Sequence, residues 1–415
     1  MTAGSRGDVA PYTGLGHRLV RAGHEVTLVT HGCFEPLVAG SGVRFHALPV
    51  DPRAELESPR GRGLHRSTSG AGKLVRVVEL ARRLVGRMTD DLVAAARDSD
   101  VLLLSASLAP LGHTVAEGLR LPSMGVYLQP IAPTREFAPP VLGGGSFGAP
   151  GNRLTGHGVN LAVEHVFAGT VPAVRARLGL PPVRTGTARR ARERLLWPVH
   201  HGFSPLVVPR PRDWRPGLGV CGYWWPHDTA TRLPPALLDF LDAGPPPVFV
   251  GLGSATVPDA DRLSARIVAA LRRAGLRGVI QRGWGGLAAD GDDMLTVGEV
   301  PHAALFGRTA AVVHHAGAGT TAAGLRAGVP AVPVPVQFDA GFWAARLVAL
   351  GVAPAAVPLR RLTVGALSTA LLRATRDPSY GERARALGVR IRAEDGVMPV
   401  LEAVNGLGGQ RLSRW

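Results

Sequence analysis

The chain has 415 residues, a length met most simply by two domains at roughly 100–200 residues each. Hydrophobic residues at 46% against 19% charged exclude wholesale disorder, and the 54 Gly and 35 Pro follow no collagen-like or solenoid period. The formal charge of +16 is spread over both halves, with 25 Lys/Arg against 15 Asp/Glu in residues 1–210 and 22 against 16 in residues 211–415, which argues against a nucleic-acid face.

The one local basic cluster, Arg184, Arg189, Arg190, Arg192 and Arg194, has few aromatics beside it for base stacking and reads as a solvated connector. No run of about 18 apolar residues occurs, and the first thirty residues lack the apolar core of a signal peptide. Cys33 and Cys221 are too few for a disulfide framework or a four-thiolate zinc site. A soluble, cytoplasmic protein in a reducing compartment is expected.

The first residues, MTAGSRGDVAP, are turn-like and lead into a helix predicted over Tyr12–Ala22, with no strand ahead of them. A loop of this kind normally hangs from the carboxyl end of a strand. Either the true start lies upstream, or the first domain lacks a central strand. Short apolar runs then predict strands at His24–Thr30, Val43–Leu48, Asp100–Ser105 and Pro122–Leu128. Between them Leu74, Val77, Val78, Ala81, Leu84, Val85, Met88, Leu92, Val93 and Ala96 recur at three- and four-residue steps, the pattern of one long helix packed on a sheet. His200–Pro247, rich in Pro, Trp and Gly, reads as the interdomain linker. The alternation resumes at Pro247–Gly253, Gly278–Arg282, Met294–Val297, Ala310–His315 and Val329–Pro335. Strand and helix alternating at this spacing predict an α/β protein with parallel, doubly wound sheets. The expected division is an N-terminal domain over 1–210, a linker over 211–246, a second domain over 247–385, and a C-terminal helix and tail over 386–415 that cross back to the first domain. Two such domains place a ligand cleft between the carboxyl ends of their sheets.

The segment Val312-Val313-His314-His315-Ala316-Gly317-Ala318-Gly319-Thr320-Thr321-Ala322-Ala323-Gly324 runs from a predicted strand through a small-residue loop into a helix. Bare amides at a helix N-terminus, with hydroxyls and an imidazole, suit a pyrophosphate; a tight turn whose glycines only relieve crowding is the plainer reading. Gly317, Gly319 and Ala322 also fit the dinucleotide pattern GxGxxA, and Asp339 follows at the end of AVPVPVQFD, so a nicotinamide or flavin dehydrogenase competes. His314 and His315, adjacent where the strand meets the loop, argue against that, and neighbours on a strand point to opposite faces and cannot chelate together. Asp98-Ser99-Asp100 and Asp290-Gly291-Asp292-Asp293 resemble metal-holding DxD motifs by letters only and read as solvated turns. No Cys/His catalytic pair is marked in the sequence, and no metal is expected. His17, His24 and His113 read as core or surface residues.

The stretch HHAGAGTTAAGLRAGVPAVPVPVQFDAGFWAARL resembles the donor signature of bacterial family 1, GT-B-fold glycosyltransferases of the sterol- and antibiotic-glycosylating type. The likeness extends through GSRGDVAPYTGLGHRLVRAGHEVTLVT, YLQPIAPTREFAPP, TGTARR to CGYWWP, VFVGLGS and GEVPHAALFGR, almost the whole chain. It implies two Rossmann-like domains facing a central cleft. It implies an inverting, metal-independent O-glycosyltransferase that uses a dTDP- or UDP-sugar as co-substrate and a lipophilic natural product as acceptor, with no cofactor required. Residue by residue, the resemblance gives His315, Gly317, Gly319, Thr320 and Ser254 to the donor diphosphate. Trp284, Val300 and His302 fall to the base and ribose, Asp339 to the sugar hydroxyls, and Asp8 of the SRGD loop to the catalytic base. A helix N-terminal carboxylate is the alternative for Asp8.

Three departures stand out. Ala316 replaces the usual glycine of HHGGAGTT, which a negative φ would tolerate. Ala340 stands where the family commonly has Gln, which favours a deoxy- or aminosugar over glucose. The first strand is missing. On the acceptor side Phe137, Pro139 and Pro140 with the Gly143–Phe147 loop form either an apolar lid or an ordinary surface loop. The alternatives to transfer chemistry are a dinucleotide-dependent oxidoreductase and a non-catalytic nucleotide-sugar-binding homologue.

Overall fold

The computed structural model describes residues 1–51, 54–55, 82–227, 232–255, 257, 259–336 and 339–412. In the first half the chain forms α1 (Arg6–Arg21), β1 (Thr27–His31), β2 (Arg44–Leu48), α2 (Thr89–Arg97), β3 (Leu102–Leu104), α3 (Ala109–Gly118), β4 (Ser123–Tyr127), α4 (Gly148–Val166), α5 (Thr170–Arg177), α6 (Thr185–Arg194), β5 (Val199–His201) and β6 (Leu218–Val220). β1 and β2 pair in parallel, and β3-β4-β5-β6 form a second parallel sheet in that order.

The two sheets are joined by the chain's first residues. Thr2 N donates to the Val29 carbonyl at 3.0 Å, and Ser105 N donates to the Met1 carbonyl at 3.0 Å. The Met1 amine donates to the Leu103 carbonyl at 2.8 Å. Met1 and Thr2 therefore lie between β1 and β3 where a central strand would run, and the SRGD loop hangs from their carboxyl side. Helix α1 begins at Arg6, ahead of the predicted Tyr12, because Ser5 and Asp8 cap it reciprocally; Pro11 lies inside the helix.

The predicted long helix is broken: residues 82–87 are helical, Met88 is a turn and α2 starts at Thr89, although Val85, Met88, Leu92, Val93 and Ala96 are buried together with Leu102, Leu104 and Leu111. Leu74, Val77, Val78 and Ala81 lie outside the described residues. The segment read as a linker from residue 211 contributes β6 to the first sheet, and β5 begins just before it. β5 (VHH) and β6 (LGV) carry two histidines and a glycine in place of a continuous apolar run, which is why the sequence concealed them, whereas the equally short β3 (LLL) and β11 (AVP) read as apolar.

The second half comprises α7 (Pro235–Asp242), β7 (Val248–Gly251), α8 (Ala260–Ala274), β8 (Gly278–Gln281), β9 (Met294–Val297), α9 (His302–Leu305), β10 (Ala311–His314), α10 (Ala318–Ala327), β11 (Ala331–Pro333), α11 (Ala340–Ala349), α12 (Val364–Arg376), α13 (Pro378–Arg392) and α14 (Met398–Leu412). Its five strands are parallel in the order β11-β10-β7-β8-β9. β7, β8 and β10 are buried at every position, as strands covered on both faces must be. Helix α8 shows how local chemistry sets the layers. Asp259 caps it through Arg262 N at 2.9 Å, Leu263, Ile267, Ala270, Leu271 and Ala274 face the sheet, and Gly275 ends it at φ 69°.

The strand order reverses between β7 and β10, so the crevice beyond their carboxyl ends is the ligand position of a doubly wound sheet. At the C-terminus Val397 and Val400 pack with Val9, Tyr12, Leu15 and Leu19, and Arg18 pairs with Asp395 at 2.8 Å, so the start of α14 returns to α1. No helix among the described residues is long and apolar enough to cross a membrane.

Candidate active site

The loop after β10 builds the donor side. His314 is buried, and its Nδ1 accepts the Ala316 N–H at 3.1 Å; burial pulls its pKa to about 3, so it stays a neutral acceptor. Ala316 sits at φ 61° with its methyl fully buried. The negative φ that would let the site tolerate alanine easily is therefore not met: the chain must turn from strand into helix within Ala316 and Gly317, and a left-handed residue makes that turn, at about 1–2 kcal/mol for a residue with a Cβ.

Gly317 is the N-cap of α10, so the N–H groups of Ala318, Gly319 and Thr320 find no carbonyl inside the helix. A Cβ on Gly317 would come within 2.3 Å of His315 Nε2, whereas one on Gly319 would meet nothing within 4 Å. The imidazole therefore lies over the helix N-terminus, and open space stands beside Gly319. His315 Nδ1 and Thr321 Oγ1 are buried without a hydrogen-bond partner, and burial holds the His315 pKa at about 4. A neutral imidazole with an unused nitrogen above bare helix amides is a fitting cradle for a diphosphate.

The turn after β7 completes this side. A Cβ on Gly253 would be 2.9 Å from His315 Cε1, which puts the neighbouring Ser254 at the same place, and Trp284 N donates to the Gly253 carbonyl at 2.9 Å. Ser254, Trp284, His315, Gly317, Gly319 and Thr320 are thus brought together. Val300 and His302 are more engaged than the sequence suggested. The Val300 side chain packs with Leu305 and Phe306 in the core. The His302 ring stacks on Phe306 at 4.5 Å and meets Phe249 edge-on, and burial lowers its pKa to about 4.

The first domain supplies Asp8. Its Oδ2 accepts the Ser5 N–H at 2.8 Å and the Ser5 hydroxyl at 3.0 Å, so the helix-capping reading is realised in the geometry. Burial raises the Asp8 pKa, against the pull of Ser5 and of the nearby Gln129 side chain toward the charged form. Asp339, just ahead of α11, accepts from Trp343 Nε1 at 2.8 Å. Burial and the nearby Asp8 charge raise its pKa. The two carboxylates, one from each half, lie near each other and beside the Gln129 side chain. Gln129 follows β4 directly in the YLQP motif, a placement the sequence displayed without marking its use.

Around this point the halves touch. Phe137 meets Phe342 edge-on at 5.3 Å, and Gly143 and Gly144 lie on Gly341 of α11. Ala340 is buried beside that contact. Arg6 pairs with Glu299 at 2.9 Å across the cleft, an exposed pair that contributes at most about 1 kcal/mol. Asp98 ends α2, and Asp293 pairs with Arg272 at 2.9 Å. Among the described residues no three His, Cys, Asp or Glu side chains gather as a metal site. Asp339 lies beyond β11 at the start of α11, away from the strand end where a dinucleotide's ribose needs its carboxylate.

Comparison with known proteins agrees with this geometry. Residues 1–137 match the glycosyltransferase family 28 N-terminal domain, and residues 280–404 match the erythromycin biosynthesis protein CIII-like C-terminal domain. The chain is 38% identical over 405 residues to O-mycaminosyltylonolide 6-deoxyallosyltransferase of Streptomyces fradiae, covering 96% of this chain and 94% of that protein. It is 32% identical over 422 residues to a sterol 3-beta-glucosyltransferase of Arabidopsis thaliana, covering 97% of this chain and spanning 64% of that longer relative. Its fold is that of a glycosyltransferase from Streptomyces sp. SF2575 solved with thymidine diphosphate, with TM-score 0.64, 21% identity and 98% of each chain covered. The two Rossmann-like halves, the donor cradle at the switch point and these relatives lead to one conclusion: the chain belongs to the family 1, GT-B-fold glycosyltransferases of the sterol- and antibiotic-glycosylating type.

Proposed function

We propose that the protein transfers a sugar from a thymidine or uridine diphosphate donor to a hydroxyl of a lipophilic small molecule, with inversion at the anomeric carbon. The observation that carries this reading is the meeting of Asp8 from one half and Asp339 from the other, near enough for the Asp8 charge to act on Asp339. A base from one half and a sugar acceptor from the other face the same point.

In the proposed step Asp8 takes the proton of the acceptor hydroxyl as its oxygen bonds to the anomeric carbon. The bond from that carbon to the diphosphate oxygen breaks, and the diphosphate leaves with the electron pair. A carboxylate whose pKa is raised by burial is a stronger base than one in water. The growing charge on the leaving group meets the amides of Ala318, Gly319 and Thr320, the His315 imidazole and the Ser254 hydroxyl, groups already placed before reaction. Asp339 accepts hydrogen bonds from the sugar hydroxyls. Ala340 removes one polar contact there and favours a deoxy- or aminosugar. The 6-deoxyallosyl transfer in the name of the Streptomyces fradiae relative supports that preference, and the thymidine diphosphate in the Streptomyces structure supports the nucleotide.

The test is Asp8→Asn assayed with a dTDP-deoxysugar and a panel of lipophilic alcohols. Turnover is expected to fall roughly 10²–10⁴-fold with dTDP affinity unchanged. Near wild-type turnover would end the assignment of Asp8, and retention of anomeric configuration in the product would end the single displacement.

A further inference from the structure

We propose that His31 is a positioning residue for the catalytic loop, holding Asp8 in place by accepting the Gly4 N–H at its Nε2. The proposal rests on the reading of Asp8 as the base. The Gly4 N to His31 Nε2 distance is 3.1 Å, and the ring, at the end of β1, is 3% exposed. The same segment is also tied down by Thr2, whose hydroxyl donates to the Asp8 carbonyl at 2.9 Å, and by Ala3, whose N–H donates to the Ser107 hydroxyl at 3.3 Å, so the imidazole is what fixes Gly4 itself. Gly4 lies at φ 149°, a conformation that favours glycine, and a Cβ there would stand 2.5 Å from Asp8 Oδ2. Ser5 follows and donates twice to the same carboxylate oxygen. The Asp8 carboxylate is therefore located against Gly4 and Ser5, and Gly4 is located against β1 by the imidazole.

The bond works in one protonation state. Nε2 must be bare to accept an N–H. Burial lowers the His31 pKa, while Asp8 on α1 and Asp51 after β2, the charged groups that act on it, push it the other way. Nδ1 makes no well-formed hydrogen bond, although the Val50 carbonyl is close enough to favour protonation. Adding a proton at Nε2 sets N–H against N–H and releases Gly4. Acid would thus unseat the base's loop as well as protonate the base.

The experiment compares His31→Phe, which keeps a ring and loses the acceptor, with His31→Gln, whose side-chain carbonyl can take the same N–H. His31→Phe is expected to lower kcat roughly 10–100-fold, the cost of leaving one buried donor unpaired. dTDP affinity is expected to stay within about twofold, and amide exchange in a peptide covering residues 1–15 to speed up. His31→Gln restores most of kcat and the exchange protection. It also reduces the acid limb of the kcat profile from a two-proton to a one-proton slope. Wild-type kcat and exchange in His31→Phe, or equal damage in folded His31→Gln, would overturn the proposal. The exchange readout does not need Asp8 to be the base. If Asp8→Asn keeps full turnover, the base assignment fails while the Gly4–His31 bond is still judged by exchange.

Discussion

Gly144 of the acceptor-side loop lies so close to Gly341 of α11 that a Cβ on Gly144 would stand 2.5 Å from the Gly341 carbonyl oxygen and 2.7 Å from the Ala345 methyl. Neither glycine is needed for a positive φ, so proximity alone selects them. The loop suspected of lidding the acceptor is seated on the helix that begins at Asp339 and Ala340.

Gly144→Val is therefore expected to push the two halves apart beside the reacting centre. A displacement of about 1 Å there costs up to about 100-fold in rate. Steady-state kinetics should show kcat lowered at least about tenfold, with dTDP binding by calorimetry unchanged. Unchanged kinetics would show that the contact is not part of the working conformation.

Asp8 and Asp339 are both held in the protonated direction by burial. A carboxyl whose folded pKa exceeds its unfolded value binds more protons in the folded state between the two. Its ionisation therefore costs stability as pH rises through that window, and the full cost is reached above the folded value. Asp339→Asn is expected to raise the melting temperature at pH 7 while lowering activity, and the gain should shrink as pH falls to about 4. Thermal melts of the variant and wild type across pH 4–8 check the sign.

The buried histidines act in the opposite direction. His113, His201, His302 and His315 have pKa values lowered to about 4 by burial, and His314 to about 3. Unfolded, each takes up a proton near pH 6.5, so each lowers stability by about 1.4 kcal/mol per pH unit from there down to its folded value. Denaturant midpoints should fall steeply between pH 6.5 and 4, and His113→Gln, remote from the site, should flatten that fall.

Much of this was readable in the residues. Every strand predicted from an apolar run is present, because buried parallel strands read as continuous hydrophobic stretches. The donor loop was legible because its glycines, histidines and threonines lie together in sequence. The acceptor side was not. Gln129, His31 and the Gly144–Gly341 contact act across the fold, and a lone Gln, His or Gly in a sequence carries no mark of what faces it. Thr321 escaped because its neighbour Thr320 fits the phosphate-binding reading equally well. The φ of Ala316 was not legible because the turn and the His314 ring fix it, not the residue's own type.

Ala316→Gly removes about 1–2 kcal/mol of left-handed strain but gives up a buried methyl worth about 0.8 kcal/mol and adds about 0.5–1 kcal/mol of chain entropy. These nearly cancel, so its stability should stay within about 1 kcal/mol of wild type. Ala316→Val adds bulk in a fully packed site and a branched Cβ at positive φ, and should lose more than about 2 kcal/mol. Urea unfolding of both variants separates the two effects.

The central claim is that the N-terminus of α10, under His315, holds the diphosphate of a nucleotide sugar. Calorimetric titration with dTDP, UDP, GDP and NAD, repeated on His315→Ala, tests it most directly. Binding of dTDP or UDP that weakens about tenfold or more in the variant is the predicted result. Binding of NAD alone, or dTDP affinity indifferent to His315, would contradict it.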